Sequence, residues 1–219
     1  RMEGSTGEAA ATAEAASVEG PAEAIAAADV KVEEAVESEL TAASSAQAVS
    51  AEGPAVAEAS SEIEVAKAVD STLTAESVAA ADTLSPVAPE EAQAVAAVEA
   101  ERVETSTLVT EAVAVTPEAA AVAETKMEVE QAEGVSLEDQ AAVTPEGPSV
   151  SQEGVVLDNQ GALDVAMDAR LEGEGSVSDQ SFEMAGEGPA RVEMSSDAEE
   201  AAQSAHNYEN EGTPFTGPQ

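Results

Sequence analysis

The chain has 219 residues, enough for one or two domains, yet Leu, Ile, Val and Phe together make up about 17% of it, and 46 acidic against 7 basic residues leave a formal net charge of -39. That balance excludes phosphate recognition, and with it nucleic-acid binding, and sets the chain against an anionic membrane surface. The lack of cysteine excludes disulfides, thiolate metal sites and thiol redox chemistry, and leaves the compartment undetermined.

The same composition argues against a packed core. Burying a methyl group returns about 0.8 kcal/mol, whereas ordering one residue's backbone costs about 1–2 kcal/mol, so alanines alone do not offset their own ordering. Few bulky apolar groups combined with high net charge is the signature of disorder. The fold expected is therefore a mostly intrinsically disordered, extended chain with short transient α-helices; the alternative is an irregular all-α chain, ordered only on a partner.

Residues 1–18 are predicted to form a disordered N-terminal segment. The chain begins Arg1-Met2-Glu3-Gly4 with no apolar signal core behind it, which suggests a processed or partial N-terminus.

Residues 19–133 form an Ala/Glu/Val-rich, low-complexity region with a degenerate repeat. Glu19-Gly20-Pro21-Ala22 returns as Glu52-Gly53-Pro54-Ala55, and Val36 to Ala42 returns as Val69 to Ala75, each 33 residues later (20 to 53, 36 to 69). A period of this size fits stacked supersecondary units, but the aromatic and leucine signatures of ankyrin and tetratricopeptide repeats are missing. Duplication within a low-complexity sequence needs no fold and is the simpler expectation.

In the first unit Ile25, Ala28, Val32, Val36 and Leu40 are spaced by three and four, one face of a helix opening at Pro21; the second unit repeats this with Val56, Ala59, Ile63 and Ala66. Such helices are marginal alone and are weakened by like charges four residues apart, so a partner is expected to lock them. The stretch Thr105–Val115 has the highest β propensity and is read as an extended loop or as a strand for an exposed sheet edge.

Residues 134–219 form a Gly/Asp/Gln-richer acidic tail. Leu163, Met167 and Leu171 make a short apolar helical stripe, and Ser196-Asp197-Ala198-Glu199 has capping-box spacing. All three aromatics, Phe182, Tyr208 and Phe215, lie here, and aromatic side chains carry disproportionate contact energy, so the end of the tail is the expected anchor.

Motifs that carry chemistry are scarce in this chain. His206 is the lone histidine and reads as a solvated helix-end residue. The glycine run Gly173-Glu174-Gly175 lacks the spacing and lysine of a phosphate loop. Asp158 to Asp164 lacks the alternating ligands and terminal glutamate of an EF-hand. Ser61/Glu64, Thr125/Glu128, Ser136/Asp139 and Ser196/Glu199 match acidophilic kinase sites, a pattern frequent by chance in so acidic a chain.

The sequence thus predicts a non-catalytic acidic spacer or accessory linker subunit. It would extend over a larger assembly through short helical and C-terminal aromatic contacts and meet protein partners with basic surfaces, without cofactor or membrane insertion. An acidic cation-binding or matrix protein and a helical-repeat binding module are the alternatives.

Overall fold

Side chains alternate with a period of two along the chain in the computed structural model, which describes residues 2–18, 20–84, 88, 90–116, 120–145, 149–159, 163–172, 177–186, 190–199, 202–203 and 207–211. Side chains are described over most of 3–143 and at Val156, Ala166 and Met167. The elements are β1 (Met2–Glu3), β2 (Thr6–Ser17), β3 (Ala22–Val36), β4 (Glu39–Ser50), β5 (Ala55–Val69), β6 (Thr72–Thr83), β7 (Glu90–Glu104), β8 (Thr107–Thr116), β9 (Ala120–Glu133), β10 (Val135–Pro145), β11 (Ser149–Asn159), β12 (Leu163–Glu172), β13 (Val177–Gly186), β14 (Ala190–Glu199), β15 (Ala202–Gln203) and β16 (Asn207–Glu211).

Odd-numbered strands build one sheet in the order β1-β3-β5-β7-β9-β11-β13-β15, with β16 also on β13; even-numbered strands build the other, β14-β12-β10-β8-β6-β4-β2. All pairings are parallel. Each coil therefore contributes one strand to each sheet, and the chain winds as a two-sheet β-solenoid.

The sequence repeat is this coil. Ala22 pairs with Ala55 and Glu39 with Thr72, both at 33 residues, so equivalent residues stack directly. Later coils change length and stay paired, with one register shift between β9 and β11 at Leu157/Asn159: Ala55 pairs with Glu90 (35 residues on), Glu91 with Ala120 (29) and Val150 with Val177 (27). This drift is why the repeat fades from the sequence while the stack continues through the arc at Gly134.

The expectation of disorder with transient helices is overturned: the described residues are all-β and ordered, without a helix. In β3 the even residues Ala22, Ala24, Ala26 and Ala28 point inward and are buried, while Glu23, Ile25, Ala27 and Asp29 point outward. The helical stripe is accordingly broken up. Ile25 is 57% exposed, Val32 and Val36 are half-buried, and Leu40 is fully buried in the other sheet. In the second unit Ala59 and Ile63 are buried, whereas Val56 and Ala66 face outward.

Two terms missing from the methyl-group argument account for the difference. Interior strands satisfy their backbone with the coils on either side, and each net hydrogen bond contributes about 0.5–1.5 kcal/mol. Small side chains also let two sheets pack closely, gaining dispersion contacts that transfer energies alone omit.

The core tapers. Near the arc joining the first sheet to the second, Leu40, Leu73, Leu108 and Leu137 form one column and Ile63, Val98 and Met127 another, all buried. Toward the opposite arc the filling is alanine: Ala55, Ala57, Ala92 and Ala94 face Ala46, Ala48, Ala79 and Ala81.

Each arc is built on one repeated device. In the wide-end arc a left-handed residue recurs at Gly4, Glu37, Asp70, Thr105 and Gly134, with φ between 47° and 65°. Ser38, Ser71 and Ser106 follow three of them. Each hydroxyl donates to the carbonyl two residues back (2.7–2.8 Å), and the Ser71 and Ser106 hydroxyls also accept the N–H of Ser38 and Ser71.

At the narrow end Ser17 and Ser50 accept the N–H of Gly20 and Gly53 at 3.0 and 2.9 Å. The Ser50 hydroxyl then donates to the Gly20 carbonyl of the neighbouring coil. Glycine is required here, because a Cβ at Gly53 would stand 2.4 Å from the Gly20 carbonyl oxygen. Gly20-Pro21 and Gly53-Pro54 thus form a stacked corner.

Candidate functional site: an acidic face and a buried carboxyl

A parallel in-register stack repeats each outward side chain at the strand spacing, about 4.8 Å. The outer face of the first sheet turns this repetition into columns of carboxylates: Glu64, Glu99 and Glu128 align beneath Lys31, and Glu101 lies beside Glu130 two positions along. Strand alternation slips at the same place in neighbouring coils: Glu101 and Arg102 both face outward in β7, as do Glu130 and Gln131 in β9. A groove of about 210 Å³ lies there, lined by Glu64, Glu99, Glu101, Glu128 and Glu130 together with Val65, Ala66 and Ala100.

Few cations answer this charge. Lys31 meets Glu64 at 2.6 Å; Lys126 meets Glu128 at 2.8 Å and Glu99 at 3.1 Å; Arg102 meets Glu104 at 2.5 Å. Hydrogen bonding to Glu64 raises the Lys31 pKa, and the Glu128 and Glu99 hydrogen bonds raise that of Lys126. These pairs are solvent-exposed and add little stability; what they do is punctuate the acidic columns.

The opposite face differs. Outward positions of β4, β6 and β8 carry Thr41, Ser45, Thr72, Thr74 and Thr107 with fewer carboxylates, so one broad side of the solenoid is much more acidic than the other. Among the described residues no group of three or more His, Asp or Glu converges to hold a metal ion.

The interior carries a polar track. Hydroxyls of Ser44, Ser61 and Ser77 lie 3.0–3.2 Å from one another, and those of Ser61 and Ser77 donate to the Glu76 and Val95 carbonyls. Further along, Asp139 on β10 points inward and is 1% exposed. Its Oδ1 accepts a hydrogen bond from Thr110 of β8. Burial raises its pKa to about 6, against the Thr110 hydrogen bond, which lowers it. Among the described residues neither Oδ2 nor the buried Thr125 Oγ1 has a hydrogen-bond partner. Sequence reasoning saw Asp139 only as half of a kinase pattern, although the alternation Val135, Leu137, Asp139, Ala141, Val143 places it with the core residues.

The residues singled out from the sequence do not form one site. Ile25 lies on the acidic outer face near the chain's start, Val32 and Val36 at the edge of the core, and Leu40 inside it. Met167 is buried; Leu163 and Leu171 occupy register positions opposite Val135 and Val143 in the same strand, β12. Phe182 pairs in register with Val155 on one side and Tyr208 on the other, while Phe215 and His206 lie outside the described residues. Ser61 and Thr125 are 2% exposed, which removes them as kinase sites in the folded chain. Thr105–Val115 is mainly β8, an interior strand between β6 and β10 and neither a loop nor an edge.

Fold and surface together define a parallel two-sheet β-solenoid with one strongly acidic face. Comparison with protein-family models, with characterised proteins and with solved structures returns no match.

Proposed function

We propose that this protein is a non-catalytic acidic scaffold whose charged face engages basic surfaces of protein partners. The observation that carries the reading is the column register: Glu64, Glu99 and Glu128 stack at strand spacing beside Glu101 and Glu130, on a rigid sheet, with Lys31 and Lys126 as the cations paired to them. Such a face holds a high negative potential at fixed geometry, which speeds encounter with cationic partners and sets their orientation.

The spacer role enters this reading in altered form. The seven strands of the second sheet, stacked at about 4.8 Å, span roughly 30 Å, so the element is a stiff slab and not an extended tether. Contacts through induced helices have no place in this architecture, and the acidic face replaces them.

Titration of a lysine-rich peptide by calorimetry, with and without Glu99→Gln and Glu128→Gln, tests the reading. Binding that falls steeply with salt and drops at least about fivefold in the double variant is expected, since two carboxylates of the groove are lost. Salt-insensitive binding, or none, would refute it, and saturable calcium binding in the same calorimeter would favour a cation-binding protein instead.

A further inference from the structure

We propose that Asp139 makes the stack an acid-closed latch: the coils from β10 onward are held tightly while this carboxyl is protonated and loosen locally once it ionises. The position is a costly one for a charge. Asp139 is 1% exposed, its inward neighbours Leu137 and Ala141 are buried, and the stacked positions on either side of it are Thr110 of β8 and buried Met167 of β12. The described inward residues of β8, β9, β10 and β12 include no other charged group. The titratable residue that the register brings next is Glu153 of β11, paired with Thr125, and a carboxylate of like sign adds to the cost of ionising Asp139.

Hydrogen bonding does little to offset that cost. Among the described residues the carboxylate has the Thr110 hydroxyl at Oδ1 and nothing at Oδ2. The protonated group is neutral and carries a donor of its own, so protonation removes the burial penalty. With burial raising the pKa to about 6, the closed state is complete below about pH 4 and is lost as pH rises through about 6. Solenoid topology keeps the effect local, because each coil touches only its neighbours and strain in one coil weakens the stack there. Ladder length sets the side that yields. Strands β10 to β14 run 10–11 residues, against 15 in β3, β5 and β7 and 12 in β4 and β6, so the later coils are joined by fewer backbone hydrogen bonds. The latch does not depend on the acidic scaffold, whose groove lies on β5, β7 and β9.

Amide hydrogen exchange on the full chain, expressed as protection factors at about pH 4 and 7.5, reads the opening coil by coil. Protection of Leu137, Ala141 and Val143 in β10 and of Met167 in β12 is expected to fall at least about tenfold at the higher pH, relative to Leu40 in β4 and Leu73 in β6. Asp139→Asn is expected to hold that ratio constant to within about twofold. Thr110→Val removes the hydroxyl that offsets the buried charge and is expected to deepen the fall severalfold, which keeps the test decisive should the asparagine variant not fold. A fall shared equally by all strands, an unchanged ratio in the parent chain, a fall that persists in Asp139→Asn, or one that Thr110→Val leaves unaltered overturns the latch. Each of these results leaves the acidic face in place, which the lysine-peptide titration reads separately.

Discussion

Replacing Asp139 by asparagine is expected to stabilise the protein at neutral pH and to change it little in acid. In the folded chain this carboxyl is enclosed between β8, β10 and the opposing sheet, and burial raises its pKa from 3.8 to about 6. A raised carboxyl pKa means that the folded state holds the proton more tightly than the unfolded one. The stability associated with the protonated form is fully present below the unfolded pKa and is lost as pH rises through the folded value. A shift of about two units corresponds to roughly 3 kcal/mol of destabilisation once pH exceeds about 7, developing between about pH 4 and 6. Asparagine avoids the charge, keeps an oxygen for the Thr110 hydroxyl and places an amide where Oδ2 stands, able to donate to the unpartnered Thr125 Oγ1. The assay is urea unfolding of both proteins, followed by circular dichroism, at about pH 3.5 and 7.5. The chain's other carboxylates titrate alike in the two proteins and cancel in the difference. The gap between variant and parent should widen by about 2–3 kcal/mol toward neutral pH; a gap constant to within about 0.5 kcal/mol would refute the buried-carboxyl reasoning.

Other expectations concern the arcs, the core and the charge. Thr105 holds a left-handed backbone (φ 50°), a conformation that costs a non-glycine residue about 1–2 kcal/mol, so Thr105→Gly should raise the midpoint of urea unfolding. Gly53→Ala should lower it sharply, because the new Cβ meets the Gly20 carbonyl at 2.4 Å and neither corner can retreat without breaking its neighbours' hydrogen bonds. Leu73→Ala, in the buried leucine column, should cost about 2–5 kcal/mol in urea unfolding, whereas Leu84→Ala at a 76% exposed position should stay within about 0.5 kcal/mol. Raising ionic strength from about 20 to 300 mM should stabilise the folded chain, since like charges stacked at strand spacing are then screened; a falling melting temperature would show that the exposed ion pairs outweigh the repulsion.

How much was legible depends on which periodicity is weighed. The 33-residue offset, the recurring Glu-Gly-Pro and the β propensity of Thr105–Val115 were all visible, and each is a real part of the solenoid. Alternation was visible too: in Ala55 to Val65 every second residue is Ala, Ser, Ile or Val, and all of these are buried. It was masked because alanine fits either period, so Ile25, Val32, Val36 and Leu40 satisfied helical spacing by coincidence. Asp139 and the glutamate columns could not be ranked among 46 carboxylates until stacking showed which were enclosed and which were aligned.

By itself the sequence determined the sign of the surface, the absence of thiol chemistry and the coil length of the early repeats, because these follow from residue identity and offset alone. The tertiary structure decided everything that depends on which residues become neighbours across a coil: that alanine makes a core, that Ser38 caps against Ser71, that Glu99 stands beside Glu128 and that Asp139 leaves water. The physical reason is that a parallel stack draws its stability from hydrogen bonds and packing between residues about thirty positions apart, terms that vanish from any count made one residue at a time.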